Sequence, residues 1–302
     1  MTTAELPYLD FDLAAAPKVR FTYANQTDSL ARRALIRSIE VATGQLKLRR
    51  AYDNWCRTPG KSETIFAAGL RLLGIKIETT GATPSEELRK GPLLIIANHP
   101  FGVADGLAIG DIATRIRSDV KIMTHSLLCQ PPEAAKYLLP VDFGPSRSAK
   151  LRSAATRKAA VNWLEDGHCL VIFPAGGVAT RPKPLDSRAL DLPWHPFIAR
   201  LAAVAGVRVL PLFFHGENST LFHLASHSWY PLRAALLFRE TLRQTGRTMK
   251  ISFGQVLHGK SLPHTLGKIN VVQHLRNATF SLADGSTKEA AQDFYWLGKP
   301  KF

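Results

Sequence analysis

Five short, nearly continuous apolar runs punctuate the chain, at residues 93–97, 120–124, 169–173, 207–214 and 250–253. Each has strand length, and most are too evenly apolar for a strand with one wet face. Between and after them lie stretches at 106–116, 148–166, 195–205 and 231–244 in which apolar residues recur at helical spacing. Buried strands separated by amphipathic helices predict an α/β fold: a mixed, largely parallel sheet flanked by helices on both faces. Pro211 falls inside the fourth run. Proline cannot donate to a ladder, so it predicts an edge strand or a strand end there.

Upstream, Leu30, Ala34, Leu35, Ile39, Ala42, Leu46 and Tyr52 recur near helical spacing, which predicts a helical segment broken or bent at Gly44. A further helix over 62–73 should stop at Gly74. Residues 1–26 read as an irregular arm, and from about Leu262 the pattern fades into a helix and a loop. The chain thus divides into an N-terminal arm and basic helical segment over 1–75 and an α/β domain over 76–302. It shows no internal repeat.

Charge changes this picture more than composition does. A formal charge of +15 and a pI near 10.0 point to a polyanionic partner, either nucleic acid or an anionic membrane surface. Eight basic residues (Arg32, Arg33, Arg37, Lys47, Arg49, Arg50, Arg57, Lys61) stand against Glu40 and Asp53 in the helical segment. A helix with an apolar stripe and a basic face can lie flat on anionic lipid; it can equally be the solvated cover of a domain. No apolar stretch reaches the roughly 18 residues of a spanning helix, and the start of the chain lacks the basic-then-apolar order of a leader. Cys56, Cys129 and Cys169 are too few and too scattered for a disulfide framework or a structural zinc site, which makes a reducing compartment the default.

The candidate chemistry sits where the first apolar run ends. In open α/β sheets, sites form in loops beyond the carboxyl ends of strands. Asn98-His99-Pro100-Phe101-Gly102-Val103-Ala104-Asp105-Gly106 is such a loop. Pro100 biases His99 away from helix, Gly102 permits a tight path, and Asp105 returns toward His99 as the next helix opens. A neutral imidazole there can take a proton from a hydroxyl that attacks a thioester, and a carboxylate on its other nitrogen fixes the tautomer. The plain alternative makes Asp105 an N-cap and His99 a hydrogen-bonded loop histidine.

The segment Asn98–Gly106 resembles the first motif of the glycerolipid acyltransferase superfamily, an Asn-His followed after four residues by Asp. Here five residues separate His99 from Asp105. That spacing is similar to the hemolysin-like lysophospholipid and ornithine-lipid acyltransferases, whose motif reads Asn-His-Pro with a later Asp-Gly. Leu139-Pro140-Val141-Asp142, Phe173-Pro174-Ala175-Gly176, Pro211 to Ser219 and the segment Leu232–Gly254 agree with that subgroup in order and spacing, over about residues 60 to 260. The resemblance implies that His99 deprotonates the hydroxyl of a lysolipid acceptor, a lysophospholipid or lyso-ornithine lipid, with Asp105 in support. The donor would be acyl-CoA or acyl carrier protein as co-substrate, with no cofactor, no metal and no covalent acyl-enzyme. The setting would be the cytoplasmic side of the inner membrane, peripherally bound, with nucleic acid not the expected partner. Where the family usually has Phe-Pro-Glu-Gly-Thr-Arg, this chain has Ala175 and Val178 at the glutamate and arginine positions.

Groups expected to contact substrate are Asn98 and Gly102, the backbone around Gly176 and Gly177 as an anion nest or oxyanion site, and Arg147 and Arg181 for a phosphate or carboxylate. Glu217 is expected to orient His99 or the acceptor. His223 and His227 have the spacing of two metal ligands on one helix turn, but no zincin glutamate accompanies them. Walker, Gly-x-Gly-x-x-Gly and Gly-x-Ser-x-Gly signatures are absent. The competing class is a catalytically altered relative that binds anionic lipid or nucleic acid.

Overall fold

The computed structural model describes residues 21–24, 29–58, 62–82, 85–142, 146–228, 230–259 and 268–283, with residues 19 and 262 singly. Most of the expected N-terminal arm, Lys61 and the end of the chain lie outside these residues. Helices α1 (Leu30–Ala42), α2 (Gln45–Arg57) and α3 (Ile65–Leu73) come first, followed by strand β1 (Lys76–Gly81). Next are β2 (Leu93–Ala97), α4 (Val103–Ile116), β3 (Val120–His125), α5 (Pro132–Ala135) and β4 (Leu138–Val141). Then come α6 (Arg147–Glu165), β5 (Cys169–Ile172), α7 (Phe197–Ala202) and β6 (Arg208–Phe214). The described chain ends with α8 (Thr220–Ser228), α9 (Tyr230–Arg243), β7 (Thr248–Phe253), β8 (Leu257–His258) and α10 (Lys268–Phe280).

The strands form one sheet in the order β1-β7-β6-β2-β5-β3-β4, with β8 also beside β6. From β6 to β4 every pairing is parallel, whereas β7 and β8 run antiparallel to β6. Both faces are covered, which is why β2 reads as an unbroken apolar run. Leu93, Ile95 and Ala97 pack with α3 and α4, while Leu94 and Ile96 pack with α6, α7 and α10. The predicted α/β fold with helices on both faces is what forms.

Pro211 is a correction. β6 is an interior strand, bonded to β2 on one side and to β7 and β8 on the other. The β7 pairing covers Leu212 to Phe214 and the β8 pairing covers Arg208 and Val209, so Pro211 meets the break between them. Its carbonyl accepts from Gly254 N–H at 2.9 Å on that side. In a strand the N and C=O of one residue point the same way, so the missing donor faces a gap where no ladder bond is lost.

The N-terminal helices are fastened to α9, to α5 and to the segment before α1 by polar anchors as well as apolar packing. Gly44, at φ 99, separates α1 from α2 where the bend was expected, and a side chain there would collide with Leu242. Buried Glu40 accepts from the Thr22 hydroxyl at 2.7 Å and from Tyr23 N–H at 2.6 Å. Thr43 Oγ1 donates to Ala235 O at 2.9 Å, and Tyr52 OH to Glu133 Oε2 at 2.6 Å. Helix α3 starts at the Thr64 cap, ends at left-handed Gly74, and lies close against α4 through two glycines. A Cβ on Gly110 would fall 2.4 Å from a Phe66 ring carbon, and one on Gly69 would fall 2.8 Å from Leu107. Gly110→Val therefore forces Phe66 from its buried seat. Such overpacking costs about 1–3 kcal/mol. Thermal unfolding followed by circular dichroism should show a midpoint several degrees lower; an unchanged midpoint would refute this packing.

Candidate active site

Parallel strands β6, β2 and β5 are neighbours, so their carboxyl ends deliver Glu217, His99 and Phe173 to one end of the sheet. Asn98 extends the β2–β6 pairing beyond the last strand residue. Its Nδ2 donates to Phe214 O at 2.9 Å, and its Oδ1 accepts from Phe214 N–H at 2.7 Å. Buried and engaged at both amide atoms, Asn98 fixes where the loop leaves the sheet.

The chain then turns through Pro100 and Phe101 into Gly102, at φ 82 and ψ -113, a conformation that only glycine adopts cheaply. Leu237 and Val178 also crowd Gly102, at 3.0 and 3.2 Å from where a Cβ would stand. Gly102 thus shapes the loop from a buried position. It is the N-cap of α4, and Asp105 is the third helical residue rather than the cap itself. Asp105 Oδ2 accepts from Phe101 N–H at 2.7 Å and Gly102 N–H at 3.0 Å, satisfying donors that a helix N-terminus leaves open.

The same oxygen stands 3.0 Å from His99 Nδ1. This is ion-pair proximity rather than an aligned hydrogen bond, because the ring N–H does not point squarely at the oxygen. Catalytic contacts are often loose without substrate and tighten when it binds. Asp105 is fully buried, and its Oδ1 has no hydrogen-bond partner among the described residues. Burial pushes its carboxyl above the ordinary range, against the pull of His99 and the two N–H groups. The His99 side chain keeps 17% exposure and stacks on Phe173, ring centroids 4.1 Å apart. With Nδ1 turned to Asp105, Nε2 is the nitrogen left for chemistry.

The His99 peptide is held from both sides by one hairpin. Ala179 N–H donates to His99 O at 2.7 Å, and His99 N–H donates to Asp191 Oδ1 at 3.2 Å. Thr180 and Leu190 pair antiparallel between these stems. Beneath the hairpin, buried Arg233 bonds Val178 O, Thr180 Oγ1 and Ser226 Oγ while lying 4.5 Å over the Phe222 ring. Asp191 was not visible in the sequence. It lies 92 residues from His99, and an Asp-Leu-Pro-Trp string carries no local signal.

The remaining expected groups separate. Arg181 and Glu217 meet each other: the guanidinium Nε bonds Glu217 Oε1 at 3.1 Å, and the second arm closes on the same carboxylate. Glu217 Oε2 also accepts from Ala189 N–H at 2.7 Å, so this carboxylate clasps both stems of the hairpin instead of reaching His99. Gly176, at φ 67, uses its N–H to close a turn on Phe173 O at 3.0 Å, and Gly177 follows against Leu192. Arg147 is exposed at the start of α6, beyond β4, three strand positions from β2. That is about 14 Å across a sheet. His223 is a satisfied interior histidine. Its Nε2 is 3.1 Å from Asn218 O, its Nδ1 accepts from Arg181 N–H at 3.4 Å, and burial drops its pKa to about 4. His227 meets Arg181 O at 2.8 Å.

A cavity of about 700 Å³ between α3, the end of α4 and β1 is lined by none of the His99 loop. The arginines on its rim, Arg71, Arg89 and Arg115, are paired with Glu63, Glu86 and Asp111. The acid-base pair His99 and Asp105 instead converges in the loop between β2 and α4. Among the described residues no helix is long and apolar enough to cross a membrane.

The chain is 23% identical over 222 residues to the lyso-glycine lipid O-acyltransferase of Phocaeicola vulgatus, covering 71% of this chain and 76% of that one. It is 22% identical over 223 residues to the enzyme of the same name from Bacteroides thetaiotaomicron, covering 71% and 78%. The crystal structure of PlsC, the 1-acyl-sn-glycerophosphate acyltransferase of Thermotoga maritima, aligns over 83% of this chain and 95% of that one, with a TM-score of 0.44 and 15% identity. A family model described as acyltransferase matches residues 20–287. The chain belongs to that acyltransferase family, within the glycerolipid acyltransferase superfamily to which its motifs point.

Proposed function

We propose that this acyltransferase moves a fatty-acyl group from a thioester, acyl-CoA or acyl carrier protein, to the hydroxyl of a lysolipid. The observation that carries the reading is the approach of His99 Nδ1 to Asp105 Oδ2, 3.0 Å apart at the carboxyl end of β2. His99 Nε2 takes the proton as the lipid oxygen bonds to the thioester carbonyl carbon. Collapse of the tetrahedral adduct breaks the C–S bond, and the departing sulfur receives that proton back. Asp105 favours the imidazolium present between the two steps, and base catalysis of this kind contributes about 10²- to 10⁴-fold.

The acceptor class follows from the missing charges and from the relatives. Ala175 and Val178 leave the Phe173–Val178 stretch without the glutamate and arginine usual there in the family, and Arg181 is already engaged with Glu217. Such a site favours an amino-acid lipid over a phosphate monoester, in keeping with relatives named for a lyso-glycine lipid. Lyso-glycine, lyso-ornithine and lysophospholipid acceptors are compared directly by thiol release from acyl-CoA or acyl carrier protein. Transfer should be fastest to the amino-acid lipids, and His99→Ala and Asp105→Asn should each lower it at least about 100-fold. Robust transfer by His99→Ala would overturn the assignment.

The same reading puts the enzyme at an anionic membrane surface on the cytoplasmic side of the inner membrane. Leu30, Leu35, Val41 and Leu46 are exposed on α1 and α2, interspersed with exposed Arg32, Arg37, Lys47, Arg50 and Arg57. Exposed leucines among cations suit an interfacial helix pair. Binding to vesicles containing anionic lipid should exceed binding to zwitterionic vesicles and weaken with salt. Equal sedimentation with both vesicle types, or retention by DNA instead, would count against this partner.

A further inference from the structure

Asp191 is 1% exposed and divides its carboxylate between two duties. Oδ1 accepts the main-chain N–H of His99 at 3.2 Å, and Oδ2 accepts the indole N–H of Trp194 at 3.0 Å. Trp194 in turn lies against Phe280 of α10, ring centroids 6.3 Å apart. The charged groups acting on Asp191 are His99, from the β2–α4 loop, and Arg276, a buried residue of α10. His99 is thereby flanked by two buried carboxylates, Asp105 at the ring and Asp191 at the peptide, with Phe173 under the ring face. A buried carboxylate is costly to keep, and a neutral residue could pack a hairpin stem more cheaply.

We propose that Asp191 is a positioning residue for acyl transfer, holding the His99 peptide in register while its negative charge favours the imidazolium form of the ring. The proposal rests on His99 being the general base. It makes the hairpin that follows β5 part of the catalytic frame, because its two stems bond the N–H and the C=O of one residue. Displacing such a loop by about an ångström is enough to cost a reaction of this kind roughly 100-fold.

The sign of the electrostatic effect is fixed. Removing a nearby negative charge makes a histidine easier to deprotonate, so its pKa falls. In Asp191→Asn the His99 ring, followed by NMR in the full-length protein, should titrate about half a pH unit or more below wild type. The acid limb of kcat/KM should move to lower pH by the same amount, with kcat down about 10- to 100-fold and KM within about twofold. Trp194→Phe, which keeps the carboxylate and removes one donor, should leave the His99 titration near wild type. Burial also pushes the Asp191 carboxyl up from 3.8 to about 6. Its contribution to stability is therefore full below about pH 3.8 and lost as pH rises through about 6. Relative to wild type, Asp191→Asn should gain urea resistance between pH 4 and pH 7.

An unchanged His99 titration and pH profile in Asp191→Asn, with activity lost only in proportion to unfolded protein, would reduce Asp191 to a structural residue and overturn the proposal. The ring titration needs no substrate. A wild-type enzyme inactive on every acceptor would defeat the functional reading while leaving the influence of Asp191 on His99 measurable.

Discussion

One carboxylate oxygen organises the loop between β2 and α4. Asp105 Oδ2 receives two main-chain donors from the entry of α4 and faces His99 Nδ1, so helix start, loop path and imidazole orientation share a single point. The burial of Asp105 makes this demanding, because a charged group without water must be compensated by hydrogen bonds and opposite charge. Among the described residues its Oδ1 has no hydrogen-bond partner, so the compensation falls to Oδ2 alone. The raised carboxyl pKa is the thermodynamic expression of that shortfall. Capping the helix and facing His99, which the sequence offers as alternatives for Asp105, are here one arrangement: the bonds that cap the helix also prevent the carboxylate from turning away.

The approach of Asp105 to His99 is legible in the sequence because it is local. A strand end, a proline, a glycine and a helix start compress six residues into a turn, and each has its own steric signature. Asp191 escapes for the opposite reason. It reaches His99 only after β5 has paired beside β2 and the hairpin has closed through Thr180 and Leu190. Arg181 and Glu217 illustrate a related limit. Both are placed near the expected end of the sheet, yet adjacency lets them satisfy each other, and two opposite charges at a half-buried site pair before they wait for a ligand.

The same contrast governs the fold. Runs such as Leu93–Ala97 are legible because strands covered on both faces must be apolar at every position. Strand β1, Lys-Ile-Glu-Thr-Thr-Gly, is an edge strand with mostly exposed residues, so neither alternation nor an apolar run marks it. Strand β4 is only four residues long and contains Pro140. Helix α8 carries two histidines and two serines within nine residues, which blur its apolar stripe. Pro211 shows the converse error. The rule that proline avoids interior strands is a rule about lost donors, and a break between two neighbours removes the loss without placing the strand at an edge.

These constraints explain why the Phe173–Val178 stretch holds its path without charged side chains at 175 and 178. The path through Phe173, Gly176 and Val178 is set by the stack on His99, the turn onto Phe173 O, and the Arg233 bond to Val178 O. None of those contacts uses a side chain at position 175, and the side chain at 178 contributes apolar contact beside Gly102. A glutamate and an arginine at those positions would therefore act on a ligand more than on the scaffold. Ala175 and Val178 stand in this stretch without dismantling the His99 loop, because the contacts that hold the loop come from the main chain, the Phe173 ring and Arg233.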